Sequence, residues 1–134
     1  MRELKLDPKD PAPLWSQIET QLRQLIANRR LQPGASLPSV RALAGELLIN
    51  PATVARAYGR LCDAGVLIVR RGEGTFVAED APEMPRAERG RLLREAAERF
   101  AVTARNLGSS MPEAHAAIDA ALGRMSRNAG GSKR

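Results

Sequence analysis

A chain of 134 residues, 43% hydrophobic and 27% charged, has room for one domain or one small domain with an appendage, which excludes a large enzyme and a disordered polypeptide. Aromatic residues make up only 3%, so the core must come from Leu, Ile, Val and Ala, a composition that favours packed helices. The net charge of +6 is concentrated in residues 23 to 71, where eight arginines face two acids, Glu46 and Asp63; a local positive field of that kind suits a polyanion, nucleic acid first and an anionic membrane surface second.

After a proline-punctuated start, Leu14, Ile18, Leu22, Leu25 and Ile26 recur at helical spacing. That amphipathic helix is expected to stop at Leu31-Gln32-Pro33-Gly34, where proline breaks the hydrogen-bond ladder and glycine accepts a left-handed turn. Leu37-Pro38-Ser39 is expected to restart a short helix with proline in its first turn and Val40, Leu43, Ala44 and Leu47 as its stripe. Asn50-Pro51 opens the next helix, Asn as cap and Pro at the first helical position. Val54, Ala57, Tyr58 and Leu61 face inward and Gly65 terminates it. The pair matches a helix-turn-helix, with any small helical hairpin as the alternative.

The next dozen residues separate the two. Val66-Leu67-Ile68-Val69-Arg70 is answered by Thr75-Phe76-Val77 across Arg71-Gly72-Glu73-Gly74, a β-hairpin with an arginine-bearing tip. A helix-turn-helix joined directly to such a hairpin is a winged helix. Residues 79–85, acidic and broken by Pro82 and Pro85, read as a linker. Beyond it Leu93, Ala97, Phe100, Ala104 and Leu107 recur at near-heptad spacing. Ser110-Met111-Pro112-Glu113 has the capping-box form, ahead of a second stripe at Met111, Ala114, Ile118, Leu122 and Met125. Two such helices bury too little surface to stand alone and need a partner, the winged domain or a second copy. Residues 126–134 are expected to be a disordered tail.

The expected fold class is therefore mainly α with a small β-hairpin. Residues 1–78 are expected to form an N-terminal winged helix-turn-helix, 79–85 a linker and 86–125 a two-helix C-terminal appendage. The single cysteine, Cys62, cannot form an intramolecular disulfide, and no signal peptide or apolar run of about 18 residues appears, so the chain is expected to be cytoplasmic and off the membrane.

These residues resemble the GntR transcription regulators, in particular the short YtrA-like branch, over Pro13 to about Met125. Pro13-Leu14-Trp15-Ser16-Gln17-Ile18 resembles the family's opening helix. Pro33-Gly34-Ala35-Ser36-Leu37-Pro38-Ser39-Val40-Arg41-Ala42-Leu43-Ala44 looks like its most specific signature. Asn50-Pro51-Ala52-Thr53-Val54-Ala55-Arg56-Ala57-Tyr58 is similar to its recognition helix, and Arg70-Arg71-Gly72-Glu73-Gly74-Thr75-Phe76-Val77 to its wing. Three positions depart from the pattern: Leu48 replaces a turn glycine, Ala52 a long polar side chain and Gly59 a larger residue. The resemblance implies a two-helix appendage serving dimerisation. It leaves no room for the effector-binding or aminotransferase-like domains of larger branches.

DNA recognition by this fold places side chains from the start of the second helix on base edges and flanking cations on phosphates. Asn50, Ala52, Thr53 and Arg56 occupy that end. Arg56 can hydrogen-bond guanine O6 and N7 bidentately, its bland alternative being an exposed surface arginine. Asn50 serves as a cap whether or not DNA binds. Arg41, in the first turn of the preceding helix, is expected on a phosphate or simply in solvent, and Arg70, Arg71 and Gly72 form the wing tip. Leu93, Ala97, Phe100, Ala104, Leu107, Ile118 and Leu122 are the expected dimer contact. His115 is the only histidine, so a multi-histidine metal site and a Ser-His-Asp arrangement find no support. No catalytic residue, metal or cofactor is expected, and no small-molecule effector is identified. The expected partners are duplex DNA and a second copy, in a dimeric repressor at an inverted-repeat operator, with a base-unspecific architectural or protein-interaction module as the alternative.

Overall fold

The computed structural model describes Met1 and residues 3–131. Among them the chain forms α1 (Leu14–Ala27), β1 (Ser36–Leu37), α2 (Val40–Leu47), α3 (Pro51–Asp63), β2 (Leu67–Arg70), β3 (Gly74–Val77), α4 (Arg86–Asn106) and α5 (Met111–Gly131). They divide into two units, Met1–Met84 and the chain from Pro85 onward.

In the first unit α1 and α2 each pack on α3, and β2 continues from α3 onto the same core. Ile18 and Leu22 of α1, Leu43 of α2, Val54, Ala57 and Leu61 of α3 and Leu67 and Val77 of the sheet are all fully buried there. The stripe residues read from periodicity thus face one another. This is a winged helix-turn-helix, with a wing broader than a hairpin: β1 joins as a third strand in the order β1-β3-β2, pairing Ser36 with Phe76 and Leu37 with Thr75. Two residues ahead of Pro38 are too few to show any period, so only pairing with β3 makes them a strand.

Two helix ends differ from expectation. α1 stops at Ala27, with Arg29 in the left-handed region (φ 64°), before the Gln32-Pro33-Gly34 turn is reached. α2 starts at Val40, not in a turn containing Pro38, because Ser39 is its N-cap and Ser39 Oγ accepts from the Ala42 N–H at 3.1 Å.

The residues before α1 form a strap along it. Gln17, only 8% exposed, accepts from the Asp7 N–H at 2.8 Å and donates to the Asp7 and Ala12 carbonyls at 2.9 Å each. One turn on, Gln21 pairs with both backbone groups of Lys5 at 2.8 and 2.7 Å. These amides replace a neighbouring strand, and Leu4 is buried in the core beneath them. At the other end Ala81 packs against the core and Met84 is buried, so the expected linker 79–85 belongs to this unit as far as Met84.

In the second unit the capping box forms as the pattern predicts: the Ser110 N–H donates to Glu113 Oε1 and the Glu113 N–H to Ser110 Oγ, both at 3.2 Å. α5 then overruns the expected start of the disordered tail at Ser126 and continues to Gly131, since no helix breaker intervenes before Gly130-Gly131. The rest of that tail, residues 132–134, lies outside the described residues. No residue of α4 is buried, nor any described side chain of α5.

Candidate nucleic-acid interface

α3 carries the centre of the site, and its conformation is set by local chemistry. Asn50 Oδ1 accepts from the Ala52 N–H at 2.9 Å and Pro51 opens the helix, leaving Asn50, Ala52, Thr53 and Arg56 on its first turns. The end is as well defined. The Gly65 N–H reaches the Cys62 carbonyl at 3.0 Å and the Val66 N–H the Leu61 carbonyl at 2.9 Å, with Gly65 left-handed at φ 76°.

α2 is fastened beside it by Tyr58, whose hydroxyl donates to the Pro38 carbonyl at 2.8 Å. Burial first, and Glu46 second, push the Tyr58 phenol above its ordinary titration range, so it stays a neutral donor. That bond ties the residue just ahead of the Ser39 cap of α2 to the middle of α3. It thereby places Arg41, the second residue of α2, on the same head as the start of α3.

Outward-facing positions of α3 are Ala52, Ala55, Arg56, Gly59 and Arg60, all exposed, with Thr53 half-buried. Beyond Gly59 lies open space. Arg56 and Arg60 are thus the long side chains on an otherwise bare surface. Both guanidinium groups lie over the Trp15 ring, at 4.2 Å for Arg56 and 4.8 Å for Arg60. Arg60 also donates to Glu19 at 2.8 Å. Trp15, Glu19 and Arg60 were not picked out by sequence reasoning, although the i, i+4 spacing of Arg56 and Arg60 signals a shared face.

The wing carries Arg70 at the end of β2, opposite Gly74, with its guanidinium 4.8 Å from the centre of the Phe76 ring. Arg71 and Gly72 come next, in a turn closed by the Glu73 N–H on the Arg70 carbonyl at 2.9 Å, where Gly72 has φ 78°. Among the described residues Arg41, Arg56, Arg70 and Arg71 are exposed and make no ion pair. Their charge is free for an external anion. The expected contact residues of the second unit are also solvent-facing: Leu93 is 73% and Leu107 76% exposed, Ile118, Leu122 and Ala97 are exposed, and Phe100 and Ala104 are half-buried.

Residues 14–77, from α1 to the end of the wing, match the family described as bacterial regulatory proteins, gntR family. An HTH-type transcriptional repressor, YtrA of Bacillus subtilis (strain 168), is 30% identical over 112 residues, which span 84% of this chain and 86% of that one. The chain belongs to the GntR family. Its likeness to the YtrA-like branch extends to structure: YtrA from Sulfolobus acidocaldarius, a GntR-family transcription factor, superposes with a TM-score of 0.57 at 33% identity, over 72% of this chain and 98% of its own. AraR(DBD) in complex with operator ORX1 has a TM-score of 0.50 at 26% identity, over 56% of this chain and 93% of its own. Matches of this kind place the GntR DNA-binding domain on the winged unit, and family and relatives alike are transcription regulators. No helix among the described residues is long and apolar enough to cross a membrane.

Proposed function

We propose that this GntR-family regulator is a dimeric repressor that reads an inverted-repeat operator. Residues 1–78 are the reading head, with Arg41 on a phosphate, Thr53 and Arg56 on base edges, and Arg70, Arg71 and Gly72 at the minor groove or backbone. Asn50 caps the reading helix, and Ala52 offers its methyl group to a thymine methyl. Residues 86–125 join two copies through Leu93, Ala97, Phe100, Ala104, Leu107, Ile118 and Leu122.

The observation that carries this reading is the combination of Arg41, Arg56, Arg70 and Arg71, exposed on the head without an ion pair among the described residues, with an apolar stripe of the helical unit exposed to solvent. A lone monomer would leave that stripe wet. Repressor is the word in the name of the Bacillus relative, and operator DNA is the partner in the AraR(DBD) complex. A two-fold dimer presents two equivalent heads, hence the inverted repeat. The bare surface at Ala52, Ala55 and Gly59 favours a second reading, in which the head binds DNA with little base preference.

Selection of bound fragments from random DNA by the full chain tests both. A recovered site with two-fold symmetry is the expected result. Fragments without a common sequence would overturn it and leave the architectural module.

A further inference from the structure

Trp15 is half-buried, packed against the core at the start of α1, and carries two arginines of α3 over its ring. The two are not equivalent. Arg60 is anchored a second time by Glu19, whose carboxylate is largely shielded at 16% exposure and takes up its charge at 2.8 Å. Arg56 has the ring alone: it lies closer, at 4.2 Å, and makes no hydrogen bond or ion pair among the described residues. A guanidinium held over an aromatic face by cation–π attraction spends none of its N–H donors on hydrogen bonds. Such a contact therefore limits the side chain's freedom without consuming the groups that would recognise a base.

We infer that Trp15 is a positioning residue for Arg56, holding its guanidinium ready so that the ordering of a long side chain is already complete before DNA arrives. The inference rests on the reading of Arg56 as the base-contacting arginine. Its consequence is specific: preorganisation of a base reader raises affinity for the correct site, while affinity for unrelated DNA, set by phosphate neutralisation, is untouched. Glu19 has the complementary part of neutralising Arg60, which would otherwise repel its neighbour one turn away.

The test compares affinity for a duplex selected from random DNA with affinity for an unrelated duplex of equal length, at one salt concentration, using the full chain. Trp15→Leu, which keeps an apolar contact with the core, is expected to weaken the selected duplex by about three- to thirtyfold, with the unrelated duplex and the salt slope unchanged. Trp15→Phe should recover most of the loss. In an Arg56→Ala background Trp15→Leu should cost nothing more, because the two residues act through one contact. Equal weakening of both duplexes, failure of Trp15→Phe to recover, or a full additional loss in the Arg56→Ala background would overturn the inference. If Arg56→Ala weakens the selected duplex but Trp15→Leu does not, positioning by Trp15 fails alone. If Arg56→Ala leaves the preference intact, the base-reading role of Arg56 fails and the inference falls with it.

Discussion

Leu48 sits at φ 56° and ψ 47°, left-handed, immediately after α2. The Ile49 N–H bonds to the Ala44 carbonyl at 3.0 Å, the same closure that ends α3 with Gly65 and α4 with Gly108, both glycines at positive φ. A leucine in that conformation carries the steric cost that glycine avoids, and its side chain, 89% exposed, regains nothing from packing. Leu48→Gly should therefore stabilise the protein by about 0.5–1 kcal/mol, after allowance for the greater freedom of glycine in the unfolded chain, as a higher denaturant midpoint would show. Arg41 lends itself to a different measurement. It is exposed in the first turn of α2 and makes no ion pair among the described residues, and in the proposed reading it serves the sequence-independent part of binding. Arg41→Ala should weaken all duplexes alike and reduce the slope of log affinity against log salt by about one.

At the scale of one element, α5 shows how a short local motif sets a helix start. Hydrogen bonding to Ser110, its backbone first and its hydroxyl second, holds the Glu113 carboxyl below the ordinary carboxylate range. A carboxyl lowered by folding contributes in full above its ordinary titration range and loses that contribution as pH falls through the lowered value. The first turn of α5 should thus persist through mild acid and fray only below the ordinary carboxylate range. The Ser110 amide resonance tracked by NMR should report that midpoint, and Ser110→Ala should raise it by removing one of the two bonds. A midpoint unmoved by Ser110→Ala would show that the hydroxyl does not help to lower the Glu113 carboxyl.

At the scale of the whole molecule, the proposed contact between two copies runs along α4 and α5. Phe100 is the largest apolar side chain of the α4 stripe, and burying such a group is worth about 1.5–3 kcal/mol. Phe100→Asp should shift sedimentation to the monomer while thermal unfolding of the winged unit, which has its own core, remains cooperative. The same variant gives the operator test its control. Five base pairs inserted between half-sites turn one of them to the opposite face of the duplex. On the proposed dimer, the wild-type protein should then lose the gain of about 10²–10⁴ that linked heads provide, whereas Phe100→Asp should bind both spacings equally. Equal sensitivity of the two proteins would move the dimer contact out of α4.

Where the signal is local, residue order was enough. Asn50-Pro51 opens α3 and Gly65 closes it, Ser110 and Glu113 cap α5, and the apolar spacing of α1 and α3 identifies the side chains that meet in the core, because each of these depends on neighbours within a turn or two. The positions of Arg41, Thr53 and Arg56 on their helices were legible for the same reason. Tertiary structure alone decided the rest. β1 exists because Phe76 and Thr75, some forty positions later, offer it a ladder. The strap exists because Gln17 and Gln21 stand in for a strand, and Leu48 is held left-handed between two helices that both pack on the core. Trp15 reads in sequence as one more apolar residue at a helix start. Only the packing of α1 on α3 lays Arg56 and Arg60 over its ring, since a contact across forty residues leaves no periodic trace in the chain.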